Sequence, residues 1–129
     1  MNKTELLRAL SFLQYHIYQS NVEAGWHNNL DGTERSKEEQ ESLFPTRIAL
    51  IHSEASEALE GFRKSLQDDH LPHRKMAEVE LADIVIRTFD LAGAMSYDLG
   101  TAILEKLAYN KTRTDHKLEN RQKENGKKF

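Results

Sequence analysis

The chain has 129 residues, a length that suits one domain able to bury a core without disulfides or a structural metal. It has no cysteine, which excludes a disulfide framework, a thiolate metal site and a cysteine nucleophile. A formal net charge of −3 with 30% charged residues argues against a general polyanion-binding surface, while leaving room for one anion held at a basic patch or through a metal.

Two prolines, six glycines and abundant Leu, Ala, Glu and Lys favour helix, and no alternating run bounded by hairpin turns is present. Leu6, Leu10, Leu13 and Ile17 recur at steps of four and three, which predicts a first helix over residues 4–21, ended before Gly25. Residues 22–43 lose periodicity and gather Asn, Asp, Gly and Ser; they read as a long loop, and it carries the only Trp. Pro45 suits a first helical turn, so a second helix is expected over residues 45–66, with Ile48, Ile51, Ala55, Ala58, Leu59, Phe62 and Leu66 as its apolar stripe.

After QDDHLPHR, Pro72 opens the expected third helix, residues 72–96. Its apolar positions cover most of the circumference and predict a largely buried helix, leaving a narrow polar strip of Glu80, Asp83, Arg87 and Asp90. A fourth helix over residues 98–113 turns Leu99, Ile103 and Leu107 inward and aligns Lys106, Asn110 and Arg113. Residues 117–129 form a polar, Lys-rich tail expected to fray. The sum is an all-α chain, a four-helix-bundle core spanning residues 1–116 as a single helical domain. The apolar extent of the third helix exceeds what one small bundle can cover, so a homo-oligomer, dimer or tetramer, is expected. With no secretory apolar segment and no long apolar run, the expectation is a cytoplasmic chain with no membrane partner; no nucleic-acid-binding module is present.

Two carboxylate pairs stand out within these apolar helices, Glu54-x-x-Glu57 and Glu80-x-x-Asp83. Residues three apart share a helix face, so each pair can converge on a cation, and Glu54 and Glu57 flank the core stripe rather than oppose it. Oxygen ligands suit Mg²⁺, with Mn²⁺ as a possible substitute. A single E-x-x-E is more often a solvated helix face, and Arg87, four residues after Asp83, could form a simple intrahelical ion pair with it. Two pairs on consecutive apolar helices, with 22 residues between Glu57 and Glu80, favour a metal site. No Glu is followed by His at Glu-x-x-His spacing, which counts against a di-iron bundle.

The stretch SEASEALEGFRKSLQDDHLPHRKMAEVELADIVIR, followed by EKLAYNKTRTDHK, resembles the signature of the MazG-like all-α nucleoside triphosphate pyrophosphohydrolases over residues 26–116. That resemblance implies Mg²⁺-dependent hydrolysis of a nucleoside or deoxynucleoside triphosphate between its α and β phosphates. It implies Glu54, Glu57, Glu80 and Asp83 as metal ligands, with Glu57 favoured over Glu54 for activating water. It also implies Lys106 and Asn110, with Arg113, at the phosphates or sugar. No GxxxxGK[ST] loop is present, so metal and side chains would hold the phosphates. Trp26, with His27 and Asn28 beside it, can either stack on a base or close the end of the bundle, and the resemblance tips it toward the base. Lys64 can reach a phosphate tail, although its simpler place is the surface. His52 reads as a structural histidine, and His70 and His73 as solvated groups at a helix start. The competing expectation is a non-catalytic helical oligomerisation or regulatory module that keeps the fold without the chemistry.

Overall fold

Asn2 and Glu5 open the first helix reciprocally: Glu5 N–H donates to Asn2 Oδ1 at 2.9 Å and Asn2 N–H donates to Glu5 Oε2 at 2.8 Å. This capping box satisfies donors that a helix start leaves unpaired. The computed structural model describes residues 1–129 and contains six α-helices and no strand. They are α1 (Lys3–Glu23), α2 (Lys37–Ser42), α3 (Phe44–Arg63), α4 (Met76–Ala94), α5 (Leu99–Thr112) and α6 (Leu118–Arg121), with a 3-10 turn at Thr114–His116 before the last. No helix is long and apolar enough to cross a membrane.

The backbone packs as two compact units, one of residues 1–11 with 98–129, the other of residues 12–97. The larger unit is organised by α3 and α4, an antiparallel pair whose register is set by three facing positions. Gly61 sits against Met76, Glu54 against Arg87, and Arg47 and Asp90 both contact His27. A Cβ added at Gly61 would lie 2.7 Å from Met76 Cγ, and one at Gly93 would lie 2.6 Å from Tyr18 Cγ. These two glycines therefore mark close approaches of α4 to α3 and to α1. Ala58, Phe89, Leu91 and Ala92 form the buried apolar core of this unit. In the smaller unit Gly100, at the start of α5, rests on Leu7 and Leu10 of α1, and Asp98 caps α5 by accepting from the Thr101 backbone N–H at 3.1 Å.

Three expectations need correction. The segment 22–43 is not all loop: Ser36 accepts from Glu39 N–H at 3.2 Å and starts α2, a helix too short to show apolar periodicity. The helix expected from Pro72 begins only at Met76. Asp68 is buried and accepts from the N–H groups of His70 and Leu71, while Gln67 and Lys75 pair across the loop, so Pro72 is held inside a closed turn. That helix is not largely buried either; Leu81, Val85 and Ile86 are 58%, 44% and 41% exposed, because α1 and α3 cover only part of its circumference. In the C-terminal residues Asn120 donates to the Thr114 carbonyl, and Lys128 donates to the carbonyls of Arg121 and Lys123.

Candidate metal centre

Glu54 and Glu57 lie on one face of α3, and Glu80 lies opposite them on α4, where the antiparallel pairing brings the strips together. One carboxylate oxygen from each of Glu54, Glu57 and Glu80 lies within 4.8 Å of the others. Glu54 and Glu80 are buried and Glu57 is exposed, so the cluster has a closed floor and an open side. Arg87 donates from Nε to Glu54 Oε1, crossing from α4 to α3. The intrahelical Asp83–Arg87 pair that spacing alone allows is thus replaced by a bond between helices. Asp83, the fourth acid of the motif, is not among these three and is half-buried.

Three acids this close cannot all carry full charge cheaply. Burial, the hydrogen bond with Glu54 and the charges of Glu57, Glu54 and Asp83 together push the Glu80 carboxyl up to about 7. Glu57 is also raised, first by its hydrogen bond with Glu54 and then by burial. Burial works to raise Glu54 as well, but the bonds from Arg87, Glu80 and Glu57 outweigh it, and that carboxyl ends below its ordinary value. Asp83 is raised by burial and by the Glu54 charge, with Asp68 adding to the same effect. Near neutrality, then, a proton on Glu80 and the guanidinium of Arg87 hold the cluster together. A divalent cation bound by oxygen ligands could take the place of that proton, so the donor set could hold a metal ion.

The remaining sequence-based candidates fall as follows. Lys64 follows the last residue of α3, and its ammonium pairs with Glu60 of the preceding turn. Trp26 is 71% exposed in the loop after α1. Lys106 and Asn110 lie on α5 in the smaller unit, Lys106 Nζ sitting 4.8 Å from the centre of the Tyr109 ring and Asn110 Oδ1 being buried without a partner. Arg113 does not continue their helical strip: α5 ends at Thr112, Arg113 is extended, and its guanidinium donates twice to Asp115 at 2.9 and 2.6 Å. His52 is exposed rather than packed.

Sequence reasoning passed over His27 as more than a neighbour of Trp26, yet it is among the most buried polar residues, at 4% exposure. Its Nε2 lies 2.8 Å from Asp90 Oδ1 and its ring packs on Tyr18 at 4.7 Å between centroids. Asp90 was visible as part of the polar strip of α4; nothing in the sequence pairs it with a loop histidine 63 positions away. Searches against protein-family models, curated proteins and solved structures return no match to this chain.

Proposed function

We propose that this chain is a Mg²⁺-dependent nucleoside triphosphate pyrophosphohydrolase of the MazG-like all-α kind, built on a four-helix-bundle core and working as a homo-oligomer. The observation that carries the reading is the convergence of Glu54, Glu57 and Glu80 from two facing helices, with oxygens within 4.8 Å of one another. Mg²⁺ held by these acids with Asp83 would neutralise charge on the attacked phosphate and on the departing pyrophosphate. Glu57 is exposed on the open side of the cluster and its carboxyl is raised, which suits it to accept a proton from water. As that water's oxygen bonds to the α-phosphorus, the bond from phosphorus to the bridging oxygen breaks. The products are nucleoside monophosphate and pyrophosphate, and the water's second proton is released to solvent. The family resemblance adds Lys106 and Asn110 for phosphates or sugar, and a deoxynucleoside triphosphate as the favoured substrate.

One observation favours a non-catalytic helical module instead: Arg87 already neutralises Glu54 without any cation. A panel of nucleoside and deoxynucleoside triphosphates with Mg²⁺, scored for monophosphate and pyrophosphate, separates the two. Glu57→Gln and Asp83→Asn should each abolish pyrophosphate release while circular dichroism shows the helices intact. Full activity in both variants, or none in the wild type across the panel, would sink the hydrolase reading.

A further inference from the structure

Residues 111–129 hold seven Lys or Arg against three Asp or Glu, a local balance of +4 in a chain whose total is −3. Charge of one sign gathered in one stretch attracts small ions of the other sign. The fold collects part of it around one hollow in the smaller unit. Asn120 donates to the Thr114 carbonyl at 2.9 Å, which ties α6 to the 3-10 turn before it. Gly126 N–H donates to the Lys123 carbonyl at 2.9 Å, and a Cβ at Gly126 would collide with the carbonyls of Asn120 and Arg121, so the chain doubles back closely against the end of α6. Lys128 Nζ donates to the carbonyls of Arg121 and Lys123, at 3.0 Å each, and so spends its charge on that helix end. The doubled-back segment returns Lys127 to Arg121, and the two line a cavity of about 290 Å³ together with Asp115, His116 and Phe129.

This hollow is short of negative charge. Its acidic side chain is Asp115, and Arg113 already donates to both of its oxygens, at 2.9 and 2.6 Å. Those bonds first, and then the charges of Arg113, His116 and Lys127, hold the Asp115 carboxyl below its ordinary value. None of His116, Arg121 and Lys127 takes part in an ion pair. Arg121 is half-buried; its Nε is buried with no acceptor, and its Nη groups make no bond within the chain. A half-buried guanidinium without a counter-ion carries a cost that an oxyanion on the Nη groups would offset. The fork of the guanidinium matches phosphate oxygens, while the Lys127 ammonium adds a compact charge with no fixed direction. The volume stands at the small end for ligand sites, which suits a phosphate or diphosphate group. We propose that this hollow binds the phosphate group of a small molecule, with Arg121 supplying directional N–H donors and Lys127 the counter-charge. The site shares no residue with the acidic cluster and stands whether or not those acids hydrolyse a nucleotide.

The test uses the full chain freed of divalent cations, so that no metal draws an anion to the acids. Inorganic pyrophosphate and, separately, dAMP are titrated into it by calorimetry at physiological ionic strength. Saturable binding is expected: pyrophosphate alone would identify a free anion as the ligand, dAMP alone a nucleotide phosphate, and both together a site that reads only the phosphate group. Arg121→Gln should weaken that binding by about tenfold or more, and Lys127→Gln by a smaller factor. Lys127 is exposed, so its substitution keeps the test open if the Arg121 variant fails to fold. In the wild-type chain the Arg121 Nε–H, shielded from solvent by its burial, is followed by NMR and should shift along the same saturation curve. No saturable binding of either anion, or equal binding in the wild type and both variants, would overturn the proposal. Binding lost in Lys106→Gln and kept in Arg121→Gln and Lys127→Gln would place the anion on α5 and overturn it equally.

Discussion

Glu80 is the residue whose chemistry the fold changes most. Its folded carboxyl titrates near 7, against 4.5 for the free side chain. Between those values the folded state keeps a proton that the unfolded state has lost, so this group's contribution to stability falls as pH rises from about 4.5 to 7. Glu57, also raised, acts in the same direction, whereas Glu54, lowered, favours the folded state above its unfolded value and withdraws that support as pH falls. The clean measurement is therefore a difference. In the absence of divalent cations, Glu80→Gln should be more stable than the wild type at pH 8, by on the order of a few kcal/mol, with the gain shrinking toward pH 4.5. Urea unfolding at both pH values reads it directly, and a gain independent of pH would contradict a shared proton in the cluster. The motif acids were legible in the sequence because carboxylates in apolar helices need compensation. What compensates Glu54 was not, since Arg87 could equally have reached Asp83 one turn earlier, and only the register of two helices decides between them.

At the scale of the helices, positions of strong periodicity or clear caps were readable, and the misses occurred where local hydrogen bonding decides. Pro72 has the chemistry of a helix start, but the Asp68 turn and the Gln67–Lys75 pairing hold it in a loop that no apolar period reveals. The Ser36-x-x-Glu39 spacing was the available signal for α2, a capping pattern within a segment dominated by loop residues. The ends of α3 and α4 share a further feature. Leu66 N–H donates to the Gly61 carbonyl at 2.9 Å and Tyr97 N–H donates to the Ala92 carbonyl at 2.8 Å, which closes each helix around a residue with positive φ. Those residues are Ser65, at φ 53°, and Ser96, at φ 56°, where glycine carries no steric cost. Ser65→Gly and Ser96→Gly should each stabilise the chain by about 0.5–1 kcal/mol, a balance of relieved left-handed strain against added unfolded-state freedom. A lowered melting temperature in both would show that the serine side chains contribute more there than the backbone strain costs.

For the whole molecule, the apolar residues left uncovered set the remaining expectation. Leu81, Val85 and Ile86 on α4, with Leu59 and Phe62 on α3, are all more than 40% exposed, while the buried apolar core of their unit comprises only Ala58, Phe89, Leu91 and Ala92. The periodicity of α4 showed that it is apolar on most sides; it could not show whether this chain's own helices or another copy would cover the excess. The core is thin and the exposed leucines, valine and isoleucine recur on helices rather than scattering singly, which favours a second copy over solvent. Sedimentation equilibrium at micromolar concentration should therefore give a mass of two or four chains of 14.9 kDa, and Leu81→Lys with Val85→Lys should shift it toward one. Because the acids sit on the same two helices, that variant should also lose thermal stability in a concentration-dependent way, as expected when folding and association are linked. A wild-type chain that sediments as a monomer and melts at a temperature independent of concentration would remove the oligomer and leave α3 and α4 as an unusually apolar exposed pair.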